Sequence, residues 1–395
     1  MTKGALALQQ SAIPQTPGGE PAKKRFQFFS FGAGGMDATF LILVLLLLTI
    51  GLVMLFSASY AVSYYTEDNS FYFISRQLFF ALLGIVGMFF ISTLNYKMLE
   101  KMAWYIMGVT VILLIVVLFF QGRSKRWIDL GFITFQPSEI AKFALIILFA
   151  HLINVLYDRM HTLRYGIFPF VCILGVLTIL MMLEPHLSGT LIILSLGAVL
   201  MFVGGANIKW FGLAALIGIG VLTILVMIPN VISYAEVRFQ NWLHPELDPR
   251  GDGYQILQSL FAIGSGGAMG QGIGASRQKY LYLPEPQNDY IFSIVCEELG
   301  FVGSTLIIIL FALLVWRGFV IAMHCRDRFG AIVSIGLTTQ VGLQTILNIM
   351  VVTNTVPSTG ISLPFFSYGG TALIMLLWEM GVVLSISRQA TMEKV

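Results

Sequence analysis

Polar and apolar positions in this chain do not form stripes; they fall into long unbroken blocks. Ten apolar segments, roughly 38–58, 74–94, 103–121, 138–156, 166–184, 188–205, 211–231, 291–315, 330–352 and 370–387, alternate with polar connections. Each is about twenty residues long, enough for an α-helix rising about 1.5 Å per residue to cross a hydrocarbon core of about 30 Å. Barrel strands are shorter and alternate in polarity, so these blocks exclude them as spans. The predicted fold is an all-α polytopic membrane protein with ten transmembrane helices. One large extracytoplasmic loop, 232–290, separates helices seven and eight.

Composition supports the same class. With 57% hydrophobic and 11% charged residues, and a mean hydropathy of +0.85, a soluble fold could not cover its own surface, whereas lipid accepts this balance. Residues 1–36, with Pro14, Pro17, Pro21 and the basic run Lys23-Lys24-Arg25, read as a disordered cytoplasmic tail. A membrane domain is expected over 37–388 and a short cytoplasmic tail over 389–395. The first apolar block starts too late and runs too long for a secretory signal, so it reads as a retained span.

Loop cations set the orientation. A cytoplasmic N-terminus puts Lys97, Lys101, Arg159, Arg164, Lys209, Arg317, Arg326, Arg328, Arg388 and Lys394 on the same side as the basic tail. The short outer loops then hold only Arg76, Arg123, Lys125, Arg126 and Lys142. The net charge of +3 and the scatter of basic residues exclude a nucleic-acid partner. Cys172, Cys296 and Cys325 give no disulfide framework, and no Cys-x-x-Cys or His-rich tract suggests a metal site.

Candidate chemistry gathers at the outer face. The second half of the long loop holds a glycine-rich run, Gly264 to Gly274, followed by Tyr280-Leu281-Tyr282-Leu283-Pro284-Glu285-Pro286. Its glycines permit tight turns and close backbone approach, but no strand precedes them as a nucleotide fingerprint requires. Asp289 stands where this loop meets the eighth span. It fits either a helix cap or an acceptor for a sugar hydroxyl proton. Glu297 and Glu298 lie further along the same helix, at a depth where ionisable groups need partners or a polar cavity. Pro137 opens the fourth span, and Glu139 and Lys142 share one face of it at i, i+3. That pair is either a structural ion pair or, with Arg123, Lys125 and Arg126, part of a diphosphate-binding set. Pro- and Gly-rich turns at Glu184 to Gly189, Thr355 to Gly360 and Leu363 to Gly370 mark broken helix ends, and Glu379 falls inside the last span.

These motifs resemble those of the SEDS family (shape, elongation, division and sporulation), the membrane peptidoglycan glycosyltransferases that include FtsW and RodA. The likeness covers nearly all the chain beyond the tail. It rests on Arg126-Trp127-Ile128 and Phe135-Gln136-Pro137-Ser138-Glu139, and on Gly264 to Gly274. It continues through Leu283-Pro284-Glu285, Asp289, Ile291-Phe292, Glu297-Glu298-Leu299-Gly300 and Ser367-Tyr368-Gly369-Gly370. The segment Leu283-Pro284-Glu285-Pro286 is more similar to the division and sporulation branch than to the elongation branch.

The resemblance implies that Asp289 is the essential loop carboxylate and that Glu139 and Lys142 are a functional pair. Arg123, Arg126, Lys279, Glu285 and Glu297 join them as substrate-binding candidates. Many members carry Asp where this chain has His186. The implied substrates are lipid II and a glycan on a polyprenyl diphosphate. The implied reaction is an inverting β-1,4 transfer in which Asp289 serves as base, the cations stabilise the leaving diphosphate, and Mg²⁺ or Mn²⁺ assists. The implied partners are a class B penicillin-binding protein transpeptidase and other divisome membrane proteins. Alternatives are a lipid II flippase, a RodA-type elongation polymerase and a non-catalytic scaffold. The near absence of Lys and Arg from the mid-membrane positions disfavours the flippase.

Overall fold

The computed structural model describes residues 35–119, 127–129, 134–184, 186–212, 240, 242–247, 251 and 253–390. Arg123, Lys125, Arg126, nearly all of the tail 1–36, most of the expected span 211–231, much of 232–252 and residues 391–395 lie outside these.

Helices α1 (Ala38–Glu67), α2 (Tyr72–Thr93) and α3 (Lys97–Phe119) come first. A small antiparallel ribbon of β1 (Ile128–Asp129) and β2 (Thr134–Phe135) follows, with Ile128 opposite Phe135 and Asp129 opposite Thr134. Then come α4 (Pro137–Leu156), α5 (Phe168–Leu183), α6 (Leu187–Val203), α7 (Tyr254–Gly266), α8 (Ile291–Met323), α9 (Arg328–Val352) and α10 (Gly370–Gln389). Among the described residues, eight helices are long and apolar enough to cross a membrane, and α6 is a shorter apolar helix. These coincide with nine of the expected blocks. The remaining block, 211–231, lies almost wholly outside the described residues.

Three helices form the core. More than half of the apolar stretch of α4, α9 and α10 is buried (56%, 61% and 67%), against 28% to 39% for the other candidate spans. The peripheral helices keep apolar side chains outward, as lipid-facing elements do. Helix α10 packs closely on α2 because Gly84 and Gly381 leave room: a Cβ on Gly84 would lie 2.5 Å from Leu377 Cδ1, and one on Gly381 2.7 Å from the Met88 carbonyl oxygen.

Capping and charge fix the ends. The Asp37 carboxylate accepts from the Phe40 amide at 2.8 Å and caps α1. It also pairs with Arg317 Nη2 at 2.7 Å, and the Asp37 amide donates to Ser387 Oγ at 3.2 Å. The starts of α1, the end of α8 and the end of α10 are thereby tied together. At the opposite end, hydrogen bonds hold the described residues of the long loop to the end of α9. Ser259 of α7 donates to the Val352 carbonyl at 2.7 Å, and Trp242 Nε1 donates to the Asn354 carbonyl at 2.9 Å.

Candidate active site

The glycine-rich run owes its shape to a break in α8. At Gly300 the backbone takes φ 66°, ψ −168°, which interrupts the helix. A break strands carbonyls on one side and amides on the other. The loop supplies both kinds of partner: the Gln271 and Gly272 amides donate to the Glu297 and Glu298 carbonyls, and the Phe301 and Val302 amides donate to the Gly267 and Ala268 carbonyls. Close approach demands glycine here. A Cβ on Gly270 would lie 2.2 Å from the Glu298 carbonyl oxygen, at a φ of +80°.

Side chains lock the same junction. The Glu297 carboxylate accepts from Ser276 Oγ and from the Arg277 amide, the latter at 2.9 Å. Lys279 Nζ reaches Glu298 Oε1 at 3.0 Å, Ser57 Oγ at 3.0 Å and the Gly274 carbonyl at 2.6 Å. Ser57 donates to Glu298 at 2.6 Å, which brings α1 into the cluster. Lys279, Glu297 and Glu298 are all buried. Buried charges are tolerable when paired and hydrogen-bonded like this.

From this latch the chain runs to Asp289 over a short path, and three successive carbonyls are clamped. Tyr368 N–H donates to Gln287 O at 2.8 Å, Ser367 Oγ to Asn288 O at 2.7 Å, and Asn348 Nδ2 to Asp289 O at 2.7 Å. Asn348 is fully buried and spans to the Ile361 carbonyl at 2.6 Å. The N-cap of α8 is Tyr290, and no side-chain cap bond is made there. Asp289 therefore does not hold the cap position; its carboxylate Oδ2 lies beside Gly360, on the wall of a cavity.

The cavity has a volume of about 450 Å³ and is lined by α2, α4, α6, the β ribbon and the segments before α8 and α10. It brings together Asp289, Glu285, Glu139 and Lys142. Lys142 Nζ pairs with Glu139 Oε2 at 2.8 Å and is buried. Asn288 Nδ2 donates to Glu285 Oε2 at 2.9 Å. Gln136 Nε2 lies 3.5 Å from His186 Nε2, so the turn before α6 joins the wall. Trp127 and Phe80 give it apolar surface.

Of the residues singled out in the sequence, the structure unites Asp289, Glu139, Lys142 and Glu285, while Arg123 and Arg126 lie outside the described residues. Lys279 and Glu297, grouped with substrate binding above, do not line the cavity; they belong to the buried latch that carries the loop to it. Glu379 is buried beneath, where Gln340 Nε2 donates to it at 2.9 Å. Sequence reasoning missed Arg76 and Asn348, and it gave Tyr368 no role beyond its place in the Ser367-Tyr368-Gly369-Gly370 motif. Arg76 lines the cavity together with Tyr368, and its guanidinium carbon lies 4.5 Å from the Tyr72 ring centre. Burial raises the Tyr368 hydroxyl above its usual pKa although Arg76 pulls the other way, so it stays protonated. The available signal for Arg76 was its place among the five cations that the expected orientation puts in the short outer loops.

Fold and cavity together define a multi-pass helical membrane protein with a polar, carboxylate-bearing chamber at one end of its bundle. A profile of the FtsW/RodA/SpoVE family, described as cell cycle protein, matches residues 37–392, and the chain belongs to that family. It is 41% identical over 357 residues to stage V sporulation protein E of Bacillus subtilis (strain 168), covering 89% of this chain and 97% of that protein. It is 36% identical over 358 residues to a probable peptidoglycan glycosyltransferase FtsW of Trichlorobacter lovleyi, covering 89% and 93%. Among solved structures, a chain of a peptidoglycan synthase complex that coordinates polymerization and crosslinking superposes with a TM-score of 0.74 at 27% identity, covering 91% of this chain and 99% of that one. The rod shape determining protein RodA of Thermus thermophilus gives 0.66 at 26% identity, with the same coverage.

Proposed function

We infer that this chain is a peptidoglycan glycosyltransferase that polymerises lipid II into glycan strands during division or sporulation septum synthesis. The observation that carries this reading is the meeting of Asp289 with the Glu139–Lys142 pair in one cavity, in a chain whose relatives include proteins named peptidoglycan glycosyltransferase.

The chemistry follows from charge. An acceptor sugar hydroxyl gives its proton to the Asp289 carboxylate as its oxygen attacks the anomeric carbon of the donor. The bond from that carbon to the diphosphate oxygen breaks, and the configuration inverts. The diphosphate departs as an anion and needs no acid, only positive charge placed where its own charge grows. Lys142 supplies some of that charge from α4, and Arg123 and Arg126 would add theirs. Glu139 neutralises Lys142 in the resting site, which makes the burial of a lone ammonium unnecessary. Among the described residues no group of three or more His, Cys, Asp or Glu forms a metal cage. Mg²⁺ usually needs only one or two carboxylates besides substrate phosphates. Glu285 on the cavity wall would meet that sparse requirement while leaving Asp289 free as the base, and Mg²⁺ or Mn²⁺ held there would neutralise phosphate charge.

The same reading places ten spans in a bacterial cytoplasmic membrane, with both termini cytoplasmic and the cavity outside. The partner it implies is a class B penicillin-binding protein, with other divisome membrane proteins nearby. The crosslinking named for the structural relative supports a transpeptidase companion. The test is purified protein with labelled lipid II, alone and with such a partner, resolved by gel. Ladders of glycan polymer are expected; lipid II carried across vesicles without polymer would replace the reading with a flippase.

A further inference from the structure

The end of the bundle opposite the cavity carries its own concentration of positive charge. Helix α4 starts at the cavity wall and ends at Leu156, where a 3₁₀ turn (Tyr157–Arg159) and a π turn (Leu163–Ile167) lead into α5. Arg159 and Arg164 both face the Tyr165 ring, with guanidinium carbons 5.2 and 5.6 Å from its centre. Arg328, the first residue of α9, has its guanidinium carbon 3.4 Å from the centre of the Tyr157 ring. We propose that these three arginines, set on two tyrosine rings, form a binding site for the phosphate of an anionic phospholipid in the adjoining leaflet.

The charges here call for an external anion. Among the described residues none of the three arginines is in an ion pair: Asp327 is taken by Lys97 at 3.8 Å, and Glu100 by Asn154 at 2.8 Å and His151 at 3.7 Å. Asp158, on the 3₁₀ turn itself, is exposed and pairs with none of them. Arg159 follows the C-terminal end of α4, where a cation is favourable in itself. Arg328 stands instead at the N-terminal end of α9, just past the Asp327 cap, where the helix dipole disfavours a cation and favours an anion. A ring engages the face of a guanidinium, and the N–H donors along its edge suit phosphate oxygens. The connection holds its shape: Thr162 donates to the Arg159 carbonyl through its amide at 3.0 Å and its hydroxyl at 2.7 Å, and the Gly166 amide donates to the Thr162 carbonyl at 2.8 Å. Val155, Leu163 and Phe168, on the same stretch of chain, are exposed. Guanidinium groups beside outward apolar side chains, at the end of membrane helices, fit a phosphate that carries acyl chains better than a free anion.

The experiment follows thermal unfolding of the full chain in a neutral detergent, titrated with phosphatidylglycerol, phosphatidylcholine or inorganic phosphate. Phosphatidylglycerol should raise the melting temperature saturably, and less so at high salt, while the other two leave it nearly unchanged. Arg328→Gln and the pair Arg159→Gln/Arg164→Gln should weaken phosphatidylglycerol binding by about fivefold for each arginine removed. Arg328→Lys keeps the charge that helps to orient the chain in the membrane but loses the planar fork. It should insert normally and still bind phosphatidylglycerol more weakly than wild type, so the test stands even if the glutamine variants fail to insert. Arginines that serve only to orient the chain would leave phosphatidylglycerol affinity and its salt dependence at wild-type values in every variant, and that result would overturn the site. An equal rise with inorganic phosphate would overturn the lipid as its ligand.

Discussion

The side-chain amide of Asn348 holds the backbone of Asp289: Nδ2 donates to the Asp289 carbonyl at 2.7 Å from a fully buried position on α9. The same nitrogen holds Ile361 O, so one side chain joins the carboxylate's segment to the chain that passes Gly360. Asn348→Ala would leave two carbonyls without this donor, at about 1–3 kcal/mol for each buried group left unmet. The expected result is a lower melting temperature and a fall in turnover of about tenfold or more with KM little changed, because a displaced base costs rate rather than binding. Steady-state kinetics on lipid II would check it, and an unchanged kcat would separate Asn348 from the base.

The Lys279–Glu298 pair is buried on both sides, with 3% and 0% of the side chains exposed. Lys279→Met should destabilise the protein by about 3–5 kcal/mol, since it strands a carboxylate. The double variant Lys279→Met/Glu298→Gln should recover part of that loss in thermal melts. Equal melting of all three proteins would show that the latch contributes nothing.

The glycine loop offers a paired comparison. Gly270 and Gly274 have similar φ values, +80° and +84°, but only Gly270 has a backbone atom in the way of a Cβ. Gly274→Ala carries the left-handed strain alone, about 1–2 kcal/mol. Gly270→Ala adds a clash with the Glu298 carbonyl and should be clearly the less stable protein in the same melt.

The apolar blocks made nine described helices legible, because in lipid an unbroken run of that length has few other solutions. Asp289, Glu139 and Lys142 were legible as candidates from residue type and position near helix ends, and Glu285 entered only through the family resemblance. The interruption at Gly300 was not, since the apolar run continues beyond it and the break is set by contact with the distant loop residues 267–270. Lys279 and Glu297 were grouped with substrate because nothing in the sequence reveals that Lys279 reaches back to Ser57 on α1. Helix α1 runs to Glu67, beyond the apolar block ending near 58, because helix formation outlasts hydropathy once the chain leaves the lipid.

The ion pair in α4 separates structure from binding. Lys142→Met alone strands Glu139, so Lys142→Met/Glu139→Gln is the informative protein. It should melt close to wild type yet polymerise far more slowly, by about tenfold or more, because the leaving diphosphate has lost a cation. Wild-type rates in the double variant would make the pair purely structural.

Asp289→Asn tests the central claim most directly. The substitution keeps size and polarity, and the bond from Asn348 is to the backbone, so clamp and latch remain. Membrane insertion, melting temperature and lipid II binding should match wild type. An amide cannot take the acceptor's proton, so general-base catalysis worth about 10²–10⁴-fold should vanish. The measurement is the initial rate of glycan polymer formation from labelled lipid II by the purified variant beside wild type. Almost no polymer from a folded, substrate-binding protein is the expected result; polymer at the wild-type rate would contradict the assignment of Asp289 as base.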